Sequence, residues 1–90
     1  MNMALLKKGR LVSDLTGKVK KLLMEELNVE SMTDGATRED FAEWDSLTYL
    51  RIIAAIENVF RIEITPENIN NFNSLENIVH EIEKHNNNHR

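Results

Sequence analysis

Apolar side chains first recur at helical spacing in a stretch that follows Ser13. One buried helix face needs an apolar residue every three or four positions. Here these positions are Leu15, Val19, Leu22, Leu23, Met24 and Leu27. Ser13 or Asp14 is expected to cap the start of the helix, because its side-chain oxygen accepts hydrogen bonds from unpaired backbone amides. Asn28 is expected to end it in the left-handed conformation, with Val29 folding back onto Met24.

A second helix is expected to begin at Asp45 and Ser46, and its apolar face is broad. The face comprises Leu47, Leu50, Ile53, Ala54 and Phe60, widened by Tyr49, Ile52, Ile56 and Val59. So wide an apolar surface is typical of a helix buried between neighbours. We therefore expect this helix to be the central element. Leu47 and Leu50 should turn into the core and leave Ser46 exposed on the opposite side.

A short third helix is predicted after an extended connection anchored by Ile62 and Ile64. Thr65 supplies a capping hydroxyl, Pro66 suits the first helical position, and Glu67 places an acid in the first turn. This helix should carry its apolar side chains inward and stop near residues 70–71.

The fourth helix is predicted to start with Asn73 as its cap, and Glu76 can bond back to the cap. Its apolar stripe is Leu75, Ile78, Val79 and Ile82. Past Lys84 the chain is polar, and residues 86–90 are expected to form a frayed tail.

The predicted fold is therefore all-α, a small bundle of three main helices plus one short helix. Residues 30–44 lack sustained periodicity and are expected to form a loop with a short turn around residues 38–42. The residues expected to be largely buried are Leu50, Ile53, Ile56, Phe60, Ile64, Phe72, Leu75, Val79 and Ile82.

Composition limits the classes of protein to which this chain can belong. Its 90 residues allow one domain. Cysteine is absent, which excludes a disulfide framework and a thiolate zinc site. The longest apolar run, residues 52–56, is far too short to cross a bilayer, and the first eight residues do not resemble a signal peptide. We expect a cytoplasmic monomer that does not enter a membrane.

Charge is unevenly distributed along the chain, whose net charge is −4. Residues 1–12 hold three basic side chains and no acid, whereas residues 31–45 hold five acids against Arg38 alone. An acidic loop fits a basic protein partner better than a nucleic acid, although such carboxylates are more often a solvated surface than a site. The alternating ligands of a calcium-binding loop are missing.

Recognisable catalytic motifs are also missing. The sequence lacks a glycine-rich phosphate loop, a nucleophile elbow and a helical histidine pair with a glutamate. His80 is most simply a surface residue, and His85 and His89 lie towards the polar tail, where a metal pair is improbable. We expect neither enzymatic activity nor a metal site.

Asp45, Ser46 and Leu47 form the one short motif with chemical meaning. Unpaired amides and the positive end of the helix dipole favour a phosphate group at a helix start. The exposed hydroxyl of Ser46 would be accessible to a modifying enzyme, and its phosphorylated product would lie in a favourable field. Alone the tripeptide is weak evidence, because a serine at a helix start is more often only a helix-starting residue.

The order and spacing of the segments make the motif more specific. From about Leu15 to His85 the chain resembles an acyl carrier protein of the phosphopantetheine-dependent family. The matching segments are residues 19–29, the motif at 45–47 with Ile52, Ile56 and Phe60 after it, the passage at 62–67, and residues 73–75. The resemblance implies an acyl-carrier-protein-like fold, with a basic extension at 1–12, a carrier domain at 13–85 and the tail at 86–90.

The resemblance also implies a function and its cofactor. Ser46 would receive 4′-phosphopantetheine from coenzyme A through a phosphopantetheinyl transferase, and the arm's thiol would carry acyl groups as thioesters. Asp45 would help the transferase hold its divalent ion and the coenzyme, and Leu47 would be part contact surface and part core. The other partners would be acyl-transferring and acyl-modifying enzymes of fatty-acid, polyketide or related pathways.

Several positions depart from the family pattern. The second helix holds Thr48, Arg51 and Asn58 where fatty-acid-type carriers tend to have acids, and Trp44 stands where a small residue is commoner. These differences favour a stand-alone carrier of a dedicated pathway.

Two other classes remain open. A helical interaction domain with the carrier fold and no cofactor is the first. The second is a helix-turn-helix nucleic-acid binder, which the net negative charge disfavours.

Overall fold

Helices form the architecture of the chain. The computed structural model describes the backbone of residues 3–88 and the side chains of residues 14–85. The α-helices are α1 (Met3–Leu27), α2 (Ser46–Phe60) and α3 (Leu75–Asn88), with short 3₁₀ helices at Arg38–Asp40 and Ile69–Asn71. Throughout these residues the extended pairing is confined to an isolated bridge between Thr37 and Ser74. The predicted all-α bundle of three main helices plus a short one is confirmed.

Helix α1 starts earlier than predicted and ends where predicted. Ser13 and Asp14 do not begin it, because the helix already runs from Met3. Residues 4–8 are strong helix formers, and a serine or aspartate is tolerated inside a helix at small cost. At its end Asn28 adopts a left-handed conformation with φ of 59°, and the Val29 amide donates to the Met24 carbonyl over 3.1 Å. The predicted helix end is confirmed.

Helix α2 begins at Ser46 as predicted, but its buried face differs from the prediction. Ile52, Ile53 and Ile56 are buried, whereas Leu47 is 67% exposed and Leu50 is 57% exposed. Leu47 and Leu50 were expected to contribute to the core, and this expectation is wrong. The apolar face is too broad to fix the helix rotation from sequence, and in the structure the side centred on Ile52 and Ile56 faces the core.

The connection after α2 is extended, as predicted, but the short helix that follows begins late. Residues 66–68 form a turn, and the regular 3₁₀ helix covers only Ile69–Asn71. Thr65 does not act as the capping acceptor. Its backbone amide donates instead to Asn68 Oδ1 over 2.9 Å, so Asn68 provides the side-chain oxygen that organises the turn.

Helix α3 is capped one residue later than predicted. Ser74 Oγ accepts a hydrogen bond from the Asn77 amide over 3.0 Å, which is the bond expected of an N-cap side chain. Asn73, the predicted cap, accepts from the Asn77 side-chain amide over 3.2 Å. The helix extends to Asn88, beyond its predicted limit near Lys84. Residues 89–90 of the predicted tail lie outside the described residues.

The core lies where α1 contacts both α2 and α3. Its buried members are Val19, Leu22, Leu23, Leu27, Trp44, Ile52, Ile53, Ile56, Ile62, Phe72, Leu75, Ile78, Val79 and Ile82. Phe60 and Ile64 were expected to be largely buried but are only partly so, since they pack against the edge of this cluster. The loop before α2 contributes Trp44, which ties the start of that helix to the core.

Candidate functional site

Asp45 and Ser46 occupy different positions at the start of α2: Asp45 is the N-cap, and Ser46 is the first helical residue. Asp45 is the N-cap residue in an extended conformation, with φ of −87° and ψ of −172°. Its Oδ1 accepts from the Thr48 amide over 2.9 Å, and its carbonyl accepts from the Tyr49 amide over 2.8 Å. Ser46 is the first helical residue and is exposed. Because Asp45 supplies the capping oxygen, the serine hydroxyl is not needed for that purpose.

The carboxyl group of Asp45 is held in its charged form. Hydrogen bonds from the backbone and side chain of Thr48 lower the pKa of Asp45 below its ordinary value of 3.8, and the positive charge of Arg38 adds to this effect. A carboxylate that accepts hydrogen bonds resists protonation, because the bonds favour the charged form. Asp45 therefore presents a negative charge beside Ser46 at neutral pH.

Arg38 connects the loop to the start of α2. Its Nε donates to the Trp44 carbonyl over 3.0 Å, and its guanidinium carbon lies 4.7 Å from the centroid of the Tyr49 ring. The Arg38 backbone amide donates to the Asn73 carbonyl over 2.8 Å. One residue thus joins the loop, the first turn of α2 and the segment that precedes α3.

Trp44 and Tyr49 anchor the same region to the core. The Trp44 side chain is only 2% exposed, and among the described residues its Nε1 has no hydrogen-bond partner. The Tyr49 hydroxyl donates to the Ile69 carbonyl, and burial raises the pKa of Tyr49. Sequence reasoning gave neither residue, nor Arg38, a role in this site. A lone tryptophan in a polar loop is the signal that could have pointed to an anchor.

The exposed side of α2 continues from Ser46 as a largely apolar surface. We call Leu47, Leu50, Arg51, Ala54 and Asn58 the outer face, and all five are exposed. Arg51 Nε lies 3.5 Å from Glu26 Oε1 of helix α1, so the one charged side chain of this face is partly neutralised.

Some of the acidic side chains in the loop at residues 31–45 form bonds within the molecule. Asp34 forms an ion pair with Lys20 over 2.6 Å, and Asp40 Oδ2 accepts from the Thr37 amide over 2.9 Å. With Asp45 engaged as the helix cap, Glu39 and Glu43 remain the exposed acids on which a basic partner would act.

The four serines of the chain differ in what their positions allow. Ser74 also stands at a helix start, but it is half-buried and its hydroxyl accepts the capping bond from Asn77. Ser31 is exposed in the loop, and Ser13 lies within α1. Among the serines whose side chains the structure describes, Ser46 alone combines an exposed side chain with the first turn of a helix whose cap is another residue.

A model of the family described as the phosphopantetheine attachment site matches residues 17–82 of the chain. The chain belongs to this family. No curated protein and no solved structure matches it. The matched residues cover all the contacts described around Ser46, from the second half of α1 into α3.

Membership of the phosphopantetheine attachment site family establishes the class of the protein and its cofactor. The chain is a carrier domain for covalently attached 4′-phosphopantetheine, a class that is generally not catalytic. Such domains work with a transferase and with biosynthetic enzymes. The exposed hydroxyl of Ser46 at a helix start fits a phosphodiester link, because the nearby amides and the helix dipole favour negative charge there.

Two further findings concern other kinds of site. Among the residues that the structure describes, no group of three or more His, Asp or Glu side chains is arranged to hold a metal ion. His80 is exposed. Of the two histidines considered above as a metal pair, His89 lies outside the residues that the structure describes. No helix within the described residues has the length and apolarity to span a membrane.

Proposed function

We propose that Ser46 is the attachment residue, and that the chain carries acyl groups as thioesters on the phosphopantetheine arm bound there. The observation that supports this most is the division of roles at the start of α2. Asp45 accepts the capping bond from Thr48, and the adjacent hydroxyl of Ser46 remains exposed. A modifying enzyme can therefore reach this hydroxyl without disturbing the helix cap.

The attachment step is a phosphoryl transfer from coenzyme A. The Ser46 Oγ–phosphorus bond forms while the pyrophosphate bond of coenzyme A breaks. Adenosine 3′,5′-bisphosphate leaves, and a base of the transferase accepts the hydroxyl proton. The new phosphodiester then lies at the positive end of the α2 dipole, which stabilises its negative charge.

Asp45 and Leu47 flank the serine with complementary chemistry. The charged carboxylate of Asp45 suits a role in holding the divalent ion and the coenzyme of the transferase, as the family resemblance implies. Leu47 is 67% exposed, which supports a role as a contact surface for the transferase. Since Leu47 does not enter the core, its replacement is expected to affect this contact more than stability.

The outer face of α2 supports a carrier for a dedicated pathway. The positions at which fatty-acid-type carriers tend to have acidic side chains are held here by Thr48, Arg51 and Asn58. Partner enzymes of a polyketide, peptide or modified-saccharide pathway, selected for a nearly neutral face, would dock here. Enzymes selected for an acidic helix would not.

Intact-mass measurement after incubation with coenzyme A and a broad-specificity transferase tests the attachment. The parent chain should gain the mass of one phosphopantetheine, and Ser46→Ala should gain none. Ser74→Ala is a matched control, because it also changes a serine at a helix start. It should lose the α3 cap and some stability while still gaining the cofactor.

Two outcomes would contradict the proposal. Modification that persists in Ser46→Ala would place the arm elsewhere. A parent chain that gains no mass under conditions that load another carrier would favour the alternative class, a helical interaction domain with the carrier fold and no cofactor.

A further inference from the structure

We propose that Arg38 is a positioning residue for the attachment site, a role that rests on the proposed function of Ser46. Its side chain contacts Trp44, which precedes the site, and Tyr49, which follows it in the first turn of α2. The Asp45–Ser46 pair lies between these two contacts along the chain. Arg38 therefore fixes the path of the backbone on both sides of the serine.

The backbone of Arg38 is itself fixed by a distant segment. Its amide donates to the Asn73 carbonyl over 2.8 Å, and the Leu75 amide donates to the Ala36 carbonyl over 3.0 Å. These two bonds pin the loop to the start of α3. Arg38 thus links the segment around Ser46 to the start of α3, so the position of Ser46 does not depend on α2 alone.

The contacts of Arg38 require a guanidinium group. The Nε–H bonds the Trp44 carbonyl while the guanidinium carbon lies 4.7 Å from the Tyr49 ring centroid, so one planar group makes both contacts at once. A lysine at this position would keep the positive charge, but its ammonium is a single point charge that cannot make both contacts in this geometry. This difference separates positioning from a general electrostatic effect.

Charge gives Arg38 a second contribution at the same place. It is the sole basic residue within residues 31–45, among five acids. The phosphodiester formed on Ser46 adds another negative charge next to the Asp45 carboxylate. A fixed cation in this segment reduces the repulsion that the modification creates.

The first test measures transferase kinetics on apo protein with Arg38→Lys. We expect kcat/KM to fall about 10- to 100-fold, mainly through kcat, because a displaced nucleophile reacts slowly while the outer face still docks. Tyr49→Leu, which removes the ring, should show a similar loss, and the double variant should be little worse than either single variant. Tyr49→Phe keeps the ring and should retain most of the Arg38-dependent rate.

Arg61→Lys is the matched control. It makes the same chemical change at the C-cap of α2, far along the helix from Ser46, and should leave the kinetics unchanged. Ile82→Val controls for stability, since it weakens the core at a buried position of α3 that lies outside the segment 73–75 to which Arg38 is bonded. If Arg38→Lys reacts like the parent, or loses only the rate that Ile82→Val loses, Arg38 does not position the site.

Amide hydrogen exchange tests the same inference without any transferase. In Arg38→Lys the Thr48 and Tyr49 amides, which bond to Asp45, should exchange faster than in the parent, while amides in the middle of α3 should not change. Unchanged protection at Thr48 and Tyr49 would overturn the inference. If instead these amides lose protection in a protein that no transferase modifies, the proposed function fails and the positioning contact stands.

Discussion

At the scale of single residues, two neighbours in the candidate site have different roles: Asp45 caps the helix, and Ser46 presents an exposed hydroxyl. A serine that caps a helix uses its hydroxyl to accept an amide, as Ser74 does at the start of α3. At the start of α2 this task falls to Asp45. The hydroxyl of Ser46 is exposed as a result, and the first turn of the helix stays ordered beside it. In the function proposed for Ser46, this arrangement would provide a nucleophile on a rigid element, which favours a defined geometry for its reaction.

The pKa of Asp45 leads to a prediction about acid stability. The bonds from Thr48 lower this pKa in the folded chain below 3.8, so the unfolded chain binds the proton more readily. The stabilisation is therefore present above the unfolded pKa and is lost as the pH falls through the lower, folded pKa. Asp45→Asn keeps an oxygen acceptor without the titration. Its melting temperature should fall less than that of the parent between about pH 5 and pH 2.

Asp45→Ala completes this comparison. It removes the acceptor for the Thr48 amide and should melt below both Asp45→Asn and the parent at neutral pH, because alanine is a poor N-cap. Thermal melts recorded across the pH range provide the measurement. Equal acid sensitivity in Asp45→Asn and the parent would show that Asp45 does not contribute to the acid transition.

At the scale of elements, the sequence predicts a helix boundary correctly where the residues next to that boundary determine it. The left-handed conformation of Asn28 and the start of α2 at Asp45 and Ser46 were predicted, since each depends on its own backbone and its near neighbours. The start of α1 was not, because Ser13 and Asp14 resemble caps but are tolerated inside a helix. The rotation of α2 was not predictable either. Leu50 and Ile56 are both strongly apolar, and the packing of α2 against α1 and the rest of the core decides which of them is buried.

Truncation of two residues of α2 tests this assignment of faces. Ile56 is fully buried and Leu50 is 57% exposed. We expect Ile56→Ala to lower the free energy of unfolding by about 2–5 kcal/mol, through lost transfer energy and a residual cavity. Leu50→Ala should change it by less than about 1 kcal/mol, as surface substitutions usually do. Denaturant unfolding followed by circular dichroism gives both values.

A matched result for the two variants would contradict the packing described here. If Leu50→Ala cost as much as Ile56→Ala, the helix would have to be rotated so that its outer face contacts the core. Phe72→Ala provides a reference outside α2, because Phe72 is 1% exposed. Its loss of free energy of unfolding should fall in the range given for Ile56→Ala.

At the scale of the whole molecule, the parts of the site that sequence reasoning missed are those that depend on tertiary contacts. The motif at Ser46 is continuous in sequence and was found. The contacts of Arg38 with Trp44, Tyr49 and Asn73 join segments that only the packed fold brings together. Periodicity reports which face of an element is apolar, and it contains no information on which loop residue reaches a given turn of another helix.

The charges around the outer face also become clear only in the folded molecule. Arg51 lies next to Glu26 of α1, and the exposed acids Glu39 and Glu43 lie upstream of Ser46. A basic partner would therefore meet negative charge at the loop end and an apolar, weakly positive surface along α2. Partner enzymes selected for an acidic second helix would meet Arg51 instead, and like charges facing each other at an interface can cost several kcal/mol.

Charge reversal on the outer face tests whether this surface selects the partners. We expect a fatty-acid ketosynthase or malonyl transferase to turn over the loaded parent poorly. Arg51→Glu combined with Asn58→Glu should improve the turnover, most visibly at low salt, where screening is weakest. The change should leave the fold intact, because the lost Arg51–Glu26 pair is at the surface, where such pairs contribute about 0–1 kcal/mol. The repulsion that the new carboxylate meets from Glu26 is of similar size, about 1 kcal/mol in water.

A neutral double variant, Arg51→Gln with Asn58→Gln, separates the two effects of that reversal. It removes the repulsion due to Arg51 without adding the attraction of new acids, so its thioester turnover should lie between those of the parent and the acidic variant. The differences in turnover among the parent, the neutral variant and the acidic variant should become smaller as salt is raised, since exposed charges are screened beyond about 10 Å at 0.1 M ionic strength. Efficient turnover of the parent, or no gain in the acidic variant at low salt, would show that the charge of α2 does not set the partners of this carrier.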